Sequence, residues 1–98
     1  MAYFAVTYGY TADAERRDEH RAEHVRFLSA QRDAGRLLVS GPLDGGTGAL
    51  LVFEGEGPDE VGAALDGDPF RREGLIARRS ITPWNVVFGA ERLARASA

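Results

Sequence analysis

The sequence predicts a single α+β domain in which a four-stranded antiparallel sheet carries its helices on one face. Three observations lead there. Segments rich in aromatic and β-branched residues alternate with polar stretches of helical spacing; Gly and Pro clusters punctuate them; and 98 residues, 44% hydrophobic and 28% charged, match one ordinary globular domain.

The first strand is Tyr3 to Tyr10, with Phe4, Val6 and Tyr8 on one side and Tyr3, Ala5 and Thr7 on the other. A polar stretch opened by Thr11 or Asp13 then places Ala22, Val25 and Leu28 at helical spacing. This long helix ends before Gly35, a natural residue for the position after a helix. Arg36 to Ser40 is a second strand, stopped by Gly41-Pro42. Asp44 to Gly48 forms a turn, and Ala49 to Phe53 runs back antiparallel as a third strand. After the break at Gly55 to Pro58, Val61, Ala64 and Leu65 mark a helix over Asp59 to Leu65. Asp68 suits the N-cap, and Pro69 the first position, of a short third helix. Leu75 to Phe88 is expected to be extended, with Pro83 at an edge or bulge. Glu91 to Ala98 has no hydrophobic anchor beyond Leu93 and is expected to fray, which leaves residues 1–90 as the domain.

The order β-α-β-β-α-(α)-β is that of the ferredoxin-like split β-α-β. Its helices cover one face of the sheet only. Yet the strands are apolar on both sides, Leu50 and Val52 opposing Leu51 and Phe53, where a half-covered sheet alternates with polar residues. The second face is therefore expected to pack against a second copy in a two-fold homodimer.

Composition removes much chemistry. The chain has no cysteine, hence no disulfide, thiolate nucleophile or Cys-ligated metal. All 12 of its basic residues are arginine, so no Schiff-base or phosphate-loop lysine exists. A net charge of −3, without a long basic run, argues against nucleic acid as partner. No apolar run is long enough to span a bilayer, and the start lacks a basic signal-peptide region, so no membrane association and a cytoplasmic location are expected. The Gly45-Gly46-Thr47-Gly48 cluster leads into a strand rather than a helix, and Gly55-Glu56-Gly57-Pro58 carries an acid and a proline where backbone N–H groups are wanted. Neither fits a nucleotide phosphate.

Histidine is left as the residue that titrates near neutrality. His20-Arg21-Ala22-Glu23-His24 spells the H-x-x-E-H zinc pattern, but this small chain lacks the surrounding domain of such proteases, and no metal is expected. His20 reads as an exposed residue on a solvated face. His24 lies beside the Ala22, Val25 and Leu28 stripe at the core boundary, and spacing alone makes it a structural histidine. Gly41-Pro42 and Asp68-Pro69, taken singly, read as a strand terminator and a helix cap.

Taken together, Arg21-x-x-His24, Gly35-Arg36-Leu37-Leu38, Ser40-Gly41-Pro42-Leu43, Asp68-Pro69-Phe70 and Ile81-x-Pro83-Trp84 resemble the YCII-related family over Tyr3 to Phe88. The resemblance implies dimeric α+β barrels and a histidine–aspartate dyad in a pocket beside the sheet. It also implies dehydrochlorination or isomerisation of chlorinated ring-derived or lactone-like compounds. The family's histidine falls on His24 and its acid on Asp68, with Asp44 a less suitable substitute because a turn tip is solvated. Asp68 would fix the imidazole tautomer and leave the other ring nitrogen to take a proton. Arg21 would bind a carboxylate, Ser40, Gly41, Pro42 and Phe70 would line the substrate site, and backbone N–H groups near Ser40-Gly41 would approach an oxyanion. No cofactor is needed for such a step. The expectation is thus a lyase or isomerase acting on a small anionic molecule; the alternative is a non-catalytic dimeric ligand-binding or accessory module with a structural His24.

Overall fold

The computed structural model describes residues 1–96. Its elements are β1 (Ala2–Tyr10), α1 (Ala14–Asp33), β2 (Leu37–Leu43), a 3-10 turn (Asp44–Gly46), β3 (Gly48–Gly55), α2 (Pro58–Leu65), α3 (Pro69–Arg72), β4 (Ile76–Trp84) and α4 (Ala90–Ala96). All strand pairings are antiparallel, in the order β2-β3-β1-β4. This is the ferredoxin-like βαββαβ unit from which α+β barrels are built.

Local chemistry accounts for the boundaries. Asp13 accepts from the Arg16 N–H at the start of α1, and Gly35 takes φ 80° just past its end, the left-handed region that spares glycine a Cβ clash. Asp68 caps α3 by accepting from the Phe70 N–H, with Pro69 behind it, as the sequence predicts.

The core lies between the sheet and the helices. Phe4, Val6 and Tyr8 of β1, Leu37 of β2, and Leu51 and Phe53 of β3 pack against Val61, Leu65, Phe70 and Leu75. The opposite face carries Val39, Leu43, Leu50 and Trp84, all exposed, and the segment after β4 projects Phe88 at 94% exposure.

Four sequence expectations are corrected. Gly41-Pro42 does not stop β2: Gly41 pairs with Leu50 and Pro42 with Ala49, which proline tolerates because β2 is an edge strand. The extended segment ends at Trp84, short of Phe88. Residues Ala90–Ala96 form a helix where fraying is expected, with α4 lying beside β2; Ser97 and Ala98 fall outside the described residues.

The fourth concerns α1. Ala22 and Val25 do not face the core, Val25 being 52% exposed; the buried residues are Arg17, His24 and Gln31, spaced seven apart along one stripe. Each finds a partner, without which a buried polar group is costly. Arg17 donates to the Thr11 carbonyl and lies over the Tyr10 ring, His24 meets Asp68, and Gln31 accepts from the Arg36 guanidinium at 2.7 Å. The apolar contact of the helix comes from Phe27 and Leu28 beside that stripe.

Candidate active site

The site forms between α1, which packs beside α3 and β2, and the sheet residues Tyr8, Tyr10 and Leu51. Asp68 is fully buried, and its position is fixed by its duty as the cap of α3: Oδ1 accepts from the Phe70 N–H at 2.9 Å. The same oxygen lies 2.8 Å from His24 Nδ1, and Oδ2 lies 3.1 Å from it. Facing a carboxylate, Nδ1 carries the hydrogen, and Nε2 makes no hydrogen bond among the described residues. The ring is clamped from the side as well, since Phe70 stacks on it at 3.9 Å with an interplanar angle of 4°.

Beside His24 a cavity of about 340 Å³ opens between α1 and the edge of the sheet, at the lower end of the ~300–1,000 Å³ typical of small-molecule sites. Tyr8, Tyr10, Leu51 and Ala49 form its floor, Arg21, Val25 and Leu28 its helical wall, and Ser40, Gly41 and Pro42 its strand wall. Mostly apolar and aromatic surface with a few polar groups is the lining expected for a small organic ligand. Arg21 is 55% exposed and pairs with Asp18 at 3.1 Å, a surface contact weak enough to exchange for a ligand anion.

Most of the residues named from sequence meet here: His24, Arg21, Ser40, Gly41 and Pro42 all line the cavity, and Asp68 stands directly behind the histidine. Phe70 does not line it. At 1% exposure it lies against the imidazole, so its contact is with the His24 ring rather than with the cavity. Asp44 sits exposed in the turn with φ 49° and is not the partner of His24. A Cβ at Gly41 would meet no atom within 4 Å, so packing within the chain does not require glycine there.

His20 is half-buried, not solvated. Its Nδ1 lies 3.6 Å from Glu23 and its Nε2 lies 3.7 Å from Glu73. Hydrogen bonds from Arg72 hold both of those carboxyls below the usual carboxylate range. The two histidines of the H-x-x-E-H run therefore engage different carboxylates, and among the described residues no group of three or more His, Cys, Asp or Glu is placed to hold a metal ion.

Sequence reasoning missed Tyr8 and Tyr10. The Tyr8 hydroxyl donates to Asp68 Oδ2 at 3.4 Å, and burial, reinforced by the Asp68 charge, pushes its ionisation far upward. Burial and Asp68 raise Tyr10 too, opposed by Arg17 and Arg21. A signal was present: Tyr8 shares the face of Phe4 and Val6, and a buried phenol requires a polar partner.

With this geometry in place, comparison with known proteins places the chain. The model of the YCII-related domain matches residues 1–85. The chain belongs to the YCII-related family. Among YCII-related relatives, Protein YciI of Escherichia coli O6:H1 is 29% identical over 98 residues, covering 90% of this chain and all of the relative, and Protein YciI of Shigella flexneri is equally similar. Among solved structures, the 5-chloro-2-hydroxyhydroquinone dehydrochlorinase TftG of Burkholderia phenoliruptrix, in complex with 2,5-dihydroxybenzoquinone, is 25% identical with a TM-score of 0.75, covering 87% of this chain and 95% of TftG. A NIPSNAP domain protein of Burkholderia xenovorans, 14% identical with a TM-score of 0.54 over 91% of this chain and 97% of its own, shares the fold. No helix of the described residues is long and apolar enough to cross a membrane.

Proposed function

We propose that this protein is a small acid–base enzyme, a lyase or isomerase in which the His24–Asp68 dyad moves a proton on a small, hydroxylated, anionic organic molecule. One observation carries the reading: a buried carboxylate holds Nδ1 of a histidine that itself lines a ligand-sized cavity, leaving Nε2 unbonded. Nε2 accepts a proton from a substrate hydroxyl or activated carbon, and Asp68 offsets the imidazolium charge that results. In an elimination, the electron pair left behind becomes the new double bond and the leaving group departs as an anion. The net change is loss of HX, with no outside electron acceptor. Arg21 receives the substrate's negative charge, and the tyrosine floor packs against a ring. The likeness to TftG supports a dehydrochlorination-type step. No cofactor is part of this scheme.

The decisive experiment follows chloride released from 5-chloro-2-hydroxyhydroquinone by the wild-type chain and by His24→Gln. Release that falls at least a hundredfold in the variant supports the dyad. A second reading, a non-catalytic ligand-binding module, draws on the structural work the pair also performs, since Asp68 caps α3 and His24 stacks on Phe70. Saturable binding of 2,5-dihydroxybenzoquinone without any chloride release would favour it.

The exposed outer face, with Val39, Leu43, Leu50 and Trp84, supports pairing with a second copy of the chain. Sedimentation at micromolar concentration reads a dimer, converted to monomer by Leu50→Glu. A wild-type monomer refutes the pairing.

A further inference from the structure

We propose that Tyr8 is a further catalytic residue of this cavity: its neutral phenol donates a hydrogen bond to the substrate oxygen on which negative charge develops as His24 takes its proton. The inference rests on the proton-transfer reading above and adds to it the group that receives the charge.

Three observations meet at Tyr8. Tyr8 lines the cavity, and its hydroxyl reaches Asp68, so one residue joins ligand space to the dyad. Its bond to Oδ2, at 3.4 Å, is at the long end of the range, whereas the carboxylate already holds His24 Nδ1 at 2.8 Å and the Phe70 N–H at 2.9 Å. The O–H can therefore turn to a ligand oxygen while Asp68 keeps its two shorter bonds. The third observation concerns charge. Burial and the adjacent carboxylate keep the phenol protonated, because a phenolate would place two anions side by side in a site of low polarity. Tyr8 therefore does not compete with His24 for the role of base. What remains to it is donation, and a donor fixed on a central strand needs no reorganisation when the oxyanion forms. No bond to Tyr8 is made or broken; the proton abstracted goes to Nε2 alone.

The test is Tyr8→Phe, which deletes one oxygen and keeps the ring that fills the core. Two quantities are read on the full chain: binding of 2,5-dihydroxybenzoquinone, followed by its own absorbance, and chloride release from 5-chloro-2-hydroxyhydroquinone. Binding weakened about tenfold or more, with kcat lowered about a hundredfold at a thermal midpoint within a few degrees of wild type, supports the donor role. A variant that binds and turns over within threefold of wild type overturns it, as does a wild-type chain that fails to bind the quinone. Binding that depends on Tyr8 without any chloride release keeps the donor and overturns only the proton-transfer reading.

Discussion

Replacing Asp68 with asparagine separates the chemical work proposed for this residue from its structural work. The amide oxygen takes the place of Oδ1, because the Phe70 N–H at 2.9 Å still requires an acceptor. That same oxygen stays 2.8 Å from His24 Nδ1 and goes on accepting its hydrogen, while the amide NH2 stands where Oδ2 was. What asparagine removes is the negative charge that would offset an imidazolium formed when Nε2 takes a proton. Asparagine is as good an N-cap as aspartate, and the shape is unchanged, so the stability cost is about 1 kcal/mol, or roughly 4–8 °C in thermal midpoint for a domain of this size. The activity cost is far larger, about 10²–10⁴ in kcat. Asp68→Ala serves as the contrast. It removes the cap and orphans three buried donors, the Phe70 N–H, the His24 Nδ1–H and the Tyr8 hydroxyl, at about 3–5 kcal/mol together, and lowers the midpoint by about 15 °C or more. Long-range 15N–1H NMR reads the tautomer directly, and chloride release reads the activity. An Asp68→Asn protein that keeps hydrogen on Nδ1 is expected; one that also retains chloride release within threefold of wild type would falsify this account of the dyad.

Other expectations follow from the same geometry. Phe70→Ala removes both the stacking surface of His24 and a fully buried ring, costing about 3–5 kcal/mol in denaturant unfolding, whereas Phe70→Leu keeps most of the volume and costs less. Gly48→Ala drives a Cβ into the Tyr8 carbonyl across the β1–β3 pair; because that contact is backbone, the strands must part, and both thermal midpoint and quinone binding fall. For pH, the sign follows from Tyr8. Its folded-state ionisation lies above the ordinary value near 10.0, so its contribution to stability is complete below pH 10 and is lost as pH rises beyond it. Thermal midpoints measured from pH 8 to 11 should fall more steeply above pH 10 in wild type than in Tyr8→Phe; parallel curves would contradict the burial of the phenol.

Much of the site was legible because it rests on local chemistry. An Asp-Pro-Phe run encodes its own N-cap, and that cap holds Asp68 in place whatever its other partners are. Apolar residues on both strand faces signalled an outer surface that the helices leave open, and Val39 and Leu50 do stand exposed there. The α1 stripe was misread because helical periodicity ranks residues by hydropathy, while Arg17, His24 and Gln31 are buried through partners remote in sequence or in neighbouring loops. Gly41-Pro42 misled for a related reason: whether proline breaks a strand depends on whether the strand lies at an edge, which is a property of the sheet.

The sequence by itself determined the element order, the chemical repertoire and the residue at the centre. With neither cysteine nor lysine present, histidine was left as the residue that titrates near neutrality, and the YCII-related motifs, not the helical spacing, pointed to His24. Tertiary structure decided its partner and its setting. Asp68 lies 44 positions away along the chain, Tyr8 sixty from Asp68, and only the packing of α1 and α3 over β1 brings the three side chains together. Hydrogen bonds act over about 3 Å, so such convergence is a fact of the folded chain and has no counterpart in spacing.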